Sequence, residues 1–221
     1  MKHCAMVMAV TLAGCLTGCQ SAGARPCEAR RLEGPARRST TARVIAVQPL
    51  LLGHTYRTDK VLRLADVAGP QRTWQILVGP NLSGGTATIC YTNTEPDIFV
   101  ENGWAYVVVA STGPPPTTGS DWGQARTKRV SGTAAGTRFI VQEQNGVHRV
   151  ILLSGPPDTV RVILDGDRKT GSDLKAPQTF FEVGPQDKTL PPPQTIDDHK
   201  TPAVSELVQH VETVAALAGV K

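Results

Sequence analysis

From residue 44 onward the chain runs as short apolar stretches separated by clusters of Gly, Pro, Asn and Asp. That spacing is the pattern of an all-β sandwich or barrel, whose strands alternate between a buried and an exposed face. Alternation and β-branched content predict strands over 44–52, 61–64, 73–78, 86–92, 98–101, 104–111, 137–142, 147–154, 159–164 and 179–183. Two Asn-Gly pairs, Asn102-Gly103 and Asn145-Gly146, sit between β-rich flanks. Such a pair accepts the positive φ angles of the two-residue turn that matches strand twist, so each predicts a hairpin and its register. The first hairpin sets Glu101 opposite Trp104 and Val100 opposite Ala105; the second sets Glu143 opposite His148 and Val141 opposite Val150.

Register then sorts faces. In the second hairpin Phe139, Val141, Val150 and Leu152 share a face and are expected in the core. Glu143 and His148 lie on that face beside the turn and are expected to form an exposed cross-strand pair. The consecutive Val107, Val108 and Val109 predict a central strand buried on both faces.

Beyond the strands the period changes. Residues 185–200 contain Pro191-Pro192-Pro193 and predict an extended, Pro-rich linker. In the segment 201–219, Thr201 offers an N-cap hydroxyl, Pro202 suits the first helical position and Gly219 ends the pattern. Val204, Leu207, Val208, Val211, Val214, Ala215 and Ala218 recur at spacings of three and four and form one apolar stripe. Packing on the domain's own sheet is the expected outcome, with docking on another protein or on a membrane as the alternative. The polar face carries no lysine, unlike a cationic membrane-surface helix. The expected fold is therefore mainly β: an antiparallel β-sandwich or barrel-like domain over 44–184 with one C-terminal amphipathic α-helix.

Residues 113–136 form a long Gly/Pro/Thr-rich stretch and predict a loop. Loops of such length in a compact domain are functional or poorly ordered. It contains Trp122 and the basic cluster Arg126, Lys128 and Arg129, the candidate partner contacts, because a Trp supplies a large rigid contact area; a Trp122 folded back as a lid on the sheet is the plainer reading.

The first 21 residues read differently. Lys2 and His3 precede an apolar run from about Ala5 to Ala13, and the chain turns polar directly after Cys19. The apolar run is far shorter than the roughly 20 residues a spanning helix needs, and reads as a secretion signal. Leu16-Thr17-Gly18-Cys19 resembles the lipobox of bacterial lipoproteins. The resemblance implies a signal peptide over 1–18, cleavage before Cys19 and a lipid, including palmitate, on that cysteine. A second such tetrapeptide, Leu12-Ala13-Gly14-Cys15, lies just upstream. Cleavage before Cys19 leaves Cys27 and Cys90 as the two unmodified cysteines, a pairable number, whereas cleavage before Cys15 would strand Cys19 as an odd thiol in an oxidising compartment. A Cys27–Cys90 disulfide is the corresponding expectation.

Charge follows the same division. Residues 19–43 form a basic tether, with six arginines between Arg25 and Arg43 against Glu28 and Glu33, whereas from Val44 onward 16 basic residues meet 17 acidic ones. Arginines close to a lipid anchor can sit near anionic head groups, and a solvated linker is the plainer reading. A near-neutral body without aromatic platforms excludes a nucleic-acid binder. There is no Gly-x-Ser-x-Gly, Walker loop, His-Glu-x-x-His or Cys-x-x-Cys. Asp165, Asp167 and Asp173 resemble a calcium loop only in part, since Arg168 and Lys169 stand where oxygen ligands would be wanted, and are expected to form a polar turn. Asp197-Asp198-His199 is expected to be solvated. No metal or cofactor is expected. The functional expectation is a non-catalytic β-domain, lipid-anchored outside the cytoplasm at the bacterial cell membrane or envelope, that binds a protein or envelope component. A carrier of an apolar ligand and an enzyme with a dispersed site are the alternatives.

Overall fold

The computed structural model describes residues 47–48, 51, 53–69, 72–91, 97–111, 124–134, 136–154, 160–166 and 171–220. Among them the strands are β1 (Val47–Gln48), β2 (Thr55–Thr58), β3 (Leu62–Gly69), β4 (Arg72–Gly79), β5 (Ala87–Tyr91), β6 (Asp97–Ser111) and β7 (Gln124–Arg126). They continue with β8 (Val130–Ala134), β9 (Arg138–Gln144), β10 (Val147–Ser154), β11 (Val160–Leu164), β12 (Ser172–Leu174), β13 (Thr179–Val183) and β14 (Gln194–Thr195), and the helix α1 spans Pro202–Ala218. The fold is mainly β with one C-terminal helix, and its sheet curls over on itself.

The curl is made by β6. Its first half pairs with β5 and β7, and its second half with β4 and β9. One layer therefore runs β1-β3-β4-β6-β9-β10-β13-β14 and the other β2-β5-β6-β7-β8-β11-β12. The pairings β1–β3 and β6–β7 are parallel and the rest antiparallel. Asn102-Gly103 lies inside this continuous strand, which corrects the first predicted hairpin. Gly103 takes φ 97°, a conformation that suits glycine, and the register with β5 shifts between Thr88 and Ile89. A bulge with a glycine in this region bends a strand as effectively as it closes a turn. Asn102 stiffens the bend by donating from Nδ2 to Thr86 O (2.7 Å) and accepting from Asn81 Nδ2 (3.0 Å).

The second hairpin forms as expected. Asn145 (φ 52°) and Gly146 (φ 79°) supply the turn, and His148 pairs with Glu143, Val150 with Val141 and Leu152 with Phe139. Phe139, Val141, Val150 and Leu152 are all buried in the core between the two layers, beside Ile89 and Val100 of β5 and β6 and Val160 and Val162 of β11. The alternate residues of the first layer, Leu77, Trp104, Tyr106, Val108, Ile140 and Ile151, face the opposite way into a second core under α1. Val107 and Val109 point to one core and Val108 to the other, which accounts for the unbroken valine run.

Helix α1 closes the second core with Val204, Leu207, Val208, Val211 and Ala215. Its last carbonyls are met by Gly219 in the left-handed conformation (φ 66°), by Val220 N on Ala215 O (3.0 Å), and by Arg63 Nη1 of β3 on Ala218 O (2.9 Å). A cation at this end also faces the negative end of the helix dipole. At the other end Pro202 is where it was expected, but Thr201 makes no side-chain cap bond. Its hydroxyl is taken by the preceding loop, accepting from Asp197 N (2.8 Å) and donating to Asp197 O (2.9 Å).

Residues 185–200 are also pinned down rather than free in solvent. β14 pairs with β13, Ile196 N donates to Gln178 O (2.9 Å), and Leu190 and Ile196 pack against the two cores. The predicted loop 113–136 is shorter than expected, because β7 and β8 occupy its second half. β7 has too few residues to show alternation, and it is held by parallel pairing to β6.

Candidate functional site

The turn between β7 and β8 is built around Thr127. Its N–H donates to Val130 O (2.8 Å), and its hydroxyl oxygen accepts from the N–H of Arg129 (3.2 Å) and of Val130 (3.1 Å). This side-chain turn puts Arg126, Lys128 and Arg129 on the rim of one open cleft of about 400 Å³. The three basic residues singled out by sequence are thus brought together. Asp97 at the start of β6 and Asp165 at the end of β11 complete the charged lining.

Each arginine is engaged. Arg126 donates from Nε to Asp97 Oδ1 (2.9 Å), and its guanidinium lies 5.0 Å from the centre of the Phe99 ring. Arg129 holds both oxygens of Asp165, from Nε (3.1 Å) and Nη2 (2.8 Å), the planar two-point geometry that a guanidinium favours. It also donates to the carbonyls of Gly184 and Asp187, in the loop after β13. The side-chain hydrogen bonds between Arg129 and Asp165 hold the Asp165 carboxyl below the usual carboxylate range and raise the Arg129 guanidinium. Lys128 is exposed and has no ion-pair partner among the described residues. Arg129 therefore staples the second layer to the first, whereas Lys128 is presented to solvent.

His148 lies beneath this staple and is not the exposed pair member expected from its place near a turn. It is 5% exposed, and its Nδ1 has no hydrogen-bond partner. Glu143 instead turns to the hairpin itself, accepting from Gly146 N (2.8 Å). Burial, and then the charge of Arg129, push the His148 pKa down. A position that alternation alone had placed at a wet tip is thus buried, next to Val183 at the end of β13, where the loop held by Arg129 begins.

Asp165 does form a turn after β11, with φ 48° followed by Gly166 at φ 77°, while Asp173 sits on β12 and pairs with Arg161 (3.3 Å). Asp167 is outside the described residues. Asp197 accepts from the N–H of His199 (2.9 Å) and of Lys200 (3.1 Å), forming a local turn. No group of three or more His, Cys, Asp or Glu side chains among the described residues is arranged to hold a metal ion. Cys19, Cys27 and Trp122 lie outside the described residues. Cys90, in β5, is 2% exposed and pairs across the sheet with Thr55 and Phe99. No helix among the described residues is long and apolar enough to cross a membrane.

No family model matches the sequence, and no curated protein matches it either. Two crystal structures from Parabacteroides distasonis, each of a protein provisionally described as an anti-sigma factor, are similar in fold. The one at 1.65 Å resolution has a TM-score of 0.42 and 16% identity, over 70% of this chain and 65% of that one. The one at 2.50 Å has a TM-score of 0.40 and 15% identity, over 72% and 73%. The chain thus spans about two thirds of the length of the first.

Asp97, Asp165, His148 and the carbonyls of Gly184 and Asp187 were not part of the site read from sequence. Only the Asp165-Gly166 pair carried a local signal, that of a turn. The others come to the cleft by pairings between distant strands.

Proposed function

We propose that the protein is a lipid-anchored lipoprotein of the bacterial envelope whose β-domain is a non-catalytic binding module for a protein or envelope component. The lipobox-like Leu16-Thr17-Gly18-Cys19, followed at once by polar chain, carries the anchoring part of this reading. The binding part is supported by the cleft: its arginines are committed to Asp97 and Asp165, so they hold shape, while Lys128, exposed and without an ion-pair partner among the described residues, is on the rim to meet a partner. A carrier of an apolar ligand needs an open interior. Here the space between the layers is taken by Phe139, Val141, Val150, Leu152 and Phe181, all buried.

Anchoring is tested by expressing the full chain with labelled palmitate in a bacterial host. The wild type is expected to take up label and sediment with membranes. Cys19→Ala is expected to lose the label and either leave the membrane fraction or stay uncleaved. A soluble, unlabelled wild type would overturn the anchor, and cross-linking to envelope components that Lys128→Glu leaves unchanged would overturn the rim as the contact.

A further inference from the structure

The clefts, charged clusters and buried titratable groups of the molecule converge on one arrangement that binding alone does not explain. His148 is a nearly fully buried histidine with a bare Nδ1, placed under an arginine that joins two layers. We propose that His148 and Arg129 form an acid-sensitive latch on the seam between the layers: when His148 takes up a proton, Arg129 releases the loop 184–187 and the edge of the cleft opens.

A neutral imidazole tolerates an unfilled acceptor, but protonation turns Nδ1 into a buried donor with nothing to receive it. Charged groups face it from several elements, and the cations Arg129 and Lys128 disfavour a further positive charge, whereas Asp165 favours it. Arg129 and Lys128 approach from the β7–β8 turn, Asp165 from the turn after β11, Glu143 from the paired position on β9, and Asp187 from the loop after β13. Of the acids, Asp165 has both oxygens on Arg129, Glu143 is bonded to Gly146 N, and Asp187 uses Oδ2 to accept from Gly184 N (2.7 Å). Each carboxylate thus has a hydrogen-bond partner other than His148, and the pull of Asp165 is outweighed by burial and by the like charge of Arg129.

Arg129 cannot lose its proton, so movement is the available relief. Its bonds to the carbonyls of Gly184 and Asp187 are to main-chain oxygens that water can replace once the loop lifts. Lifting the loop also uncovers His148, which sits next to Val183 in the β10–β13 pairing. The open form then binds the proton with an ordinary imidazole affinity, while the closed form resists it. Acid favours whichever form binds the proton better. The sign follows from linkage: with the closed-state pKa depressed, closure is stable above the ordinary histidine range, near pH 6.5, and weakens as pH falls below it.

Amide hydrogen exchange of the purified protein at about pH 7.5 and about pH 5, corrected for intrinsic rates and referenced to α1, tests the latch. The wild type is expected to lose protection at the amides of Gly184, Gln186 and Asp187 and of 127–131 at least roughly tenfold relative to α1 at the lower pH. His148→Gln, which keeps a neutral polar side chain, is expected to remove that dependence. Arg129→Gln is expected to leave the loop weakly protected at both pH values. A wild-type seam equally protected at both, or an acid-dependent loss that persists in His148→Gln, would overturn the proposal. Should His148→Gln fail to fold, the same decision falls to a wild-type NMR titration: His148 and the amides of Gly184, Gln186 and Asp187 titrating together support the latch, and independent titration refutes it.

Discussion

Trp104 occupies the space that a side chain at Gly79 would need. The two residues are paired across β4 and β6, and a Cβ at position 79 would stand 2.5 Å from Trp104 Cζ2 and 2.9 Å from Cε2. The bare backbone lets the indole bury completely between the sheet and α1, where it meets the His210 ring edge-on at 6.2 Å between centroids. Gly79→Ala is expected to destabilise the domain by about 1–3 kcal/mol through overpacking. In urea unfolding the midpoint should fall with the slope unchanged; an unmoved midpoint would mean that the indole can shift freely.

Gly103 and Gly84 separate crowding from backbone strain. Both have positive φ, 97° and 90°, but a Cβ at 103 would lie 2.5 Å from Gly79 O and 2.9 Å from Ala87 Cβ, whereas at 84 nothing is within 4 Å. Gly84→Ala should show the cost of conformation alone, about 1–3 kcal/mol. Gly103→Ala should cost more, because it also breaks the corner of β6. Equal losses by calorimetry would mean that the corner yields to the added methyl.

Leu207 and Leu217 share helix α1 but differ in what covers them. Leu207 is 1% exposed in the second core and Leu217 is 77% exposed. Leu207→Ala is expected to cost about 2–5 kcal/mol and lower the melting temperature by several degrees. Leu217→Ala should stay within about 0.5 kcal/mol. A Leu207→Ala melting curve that overlays the wild type would detach α1 from the folding unit.

Cys27 and Cys90 are expected to be joined in the mature protein, on the parity argument and an oxidising compartment. Under denaturing conditions both thiols should react with a maleimide only after reduction. Labelling of both without reductant would refute the pair.

Alternation along single strands carried much of the architecture. It located β3 to β6, β9 to β11 and β13, and it placed the core face of β9 and β10 correctly, because side-chain direction in a strand is a property of the strand itself. The same holds for Asn145-Gly146, whose turn depends on two adjacent residues with φ 52° and 79°. Pro202 and Gly219 marked the ends of α1 for a similar reason. Asn102-Gly103 shows the limit. A glycine with positive φ serves a turn and a bulge equally, and the choice between them rested on β4, β5 and β9, which claim the two halves of β6 from distant parts of the chain.

The site divides in the same way. Arg126, Lys128 and Arg129 were legible as a cluster because they are neighbours in the chain. Arg129 reaches Asp165 over a separation of 36 residues, Gly184 over 55 and Asp187 over 58. Those contacts set which of the three cations are paired among the described residues and whether His148 is wet or buried. Backbone conformation and side-chain alternation are local free energies that a short stretch of sequence expresses by itself. Burial and charge pairing depend on which remote segments arrive at a position, and that is set only when the whole sheet closes.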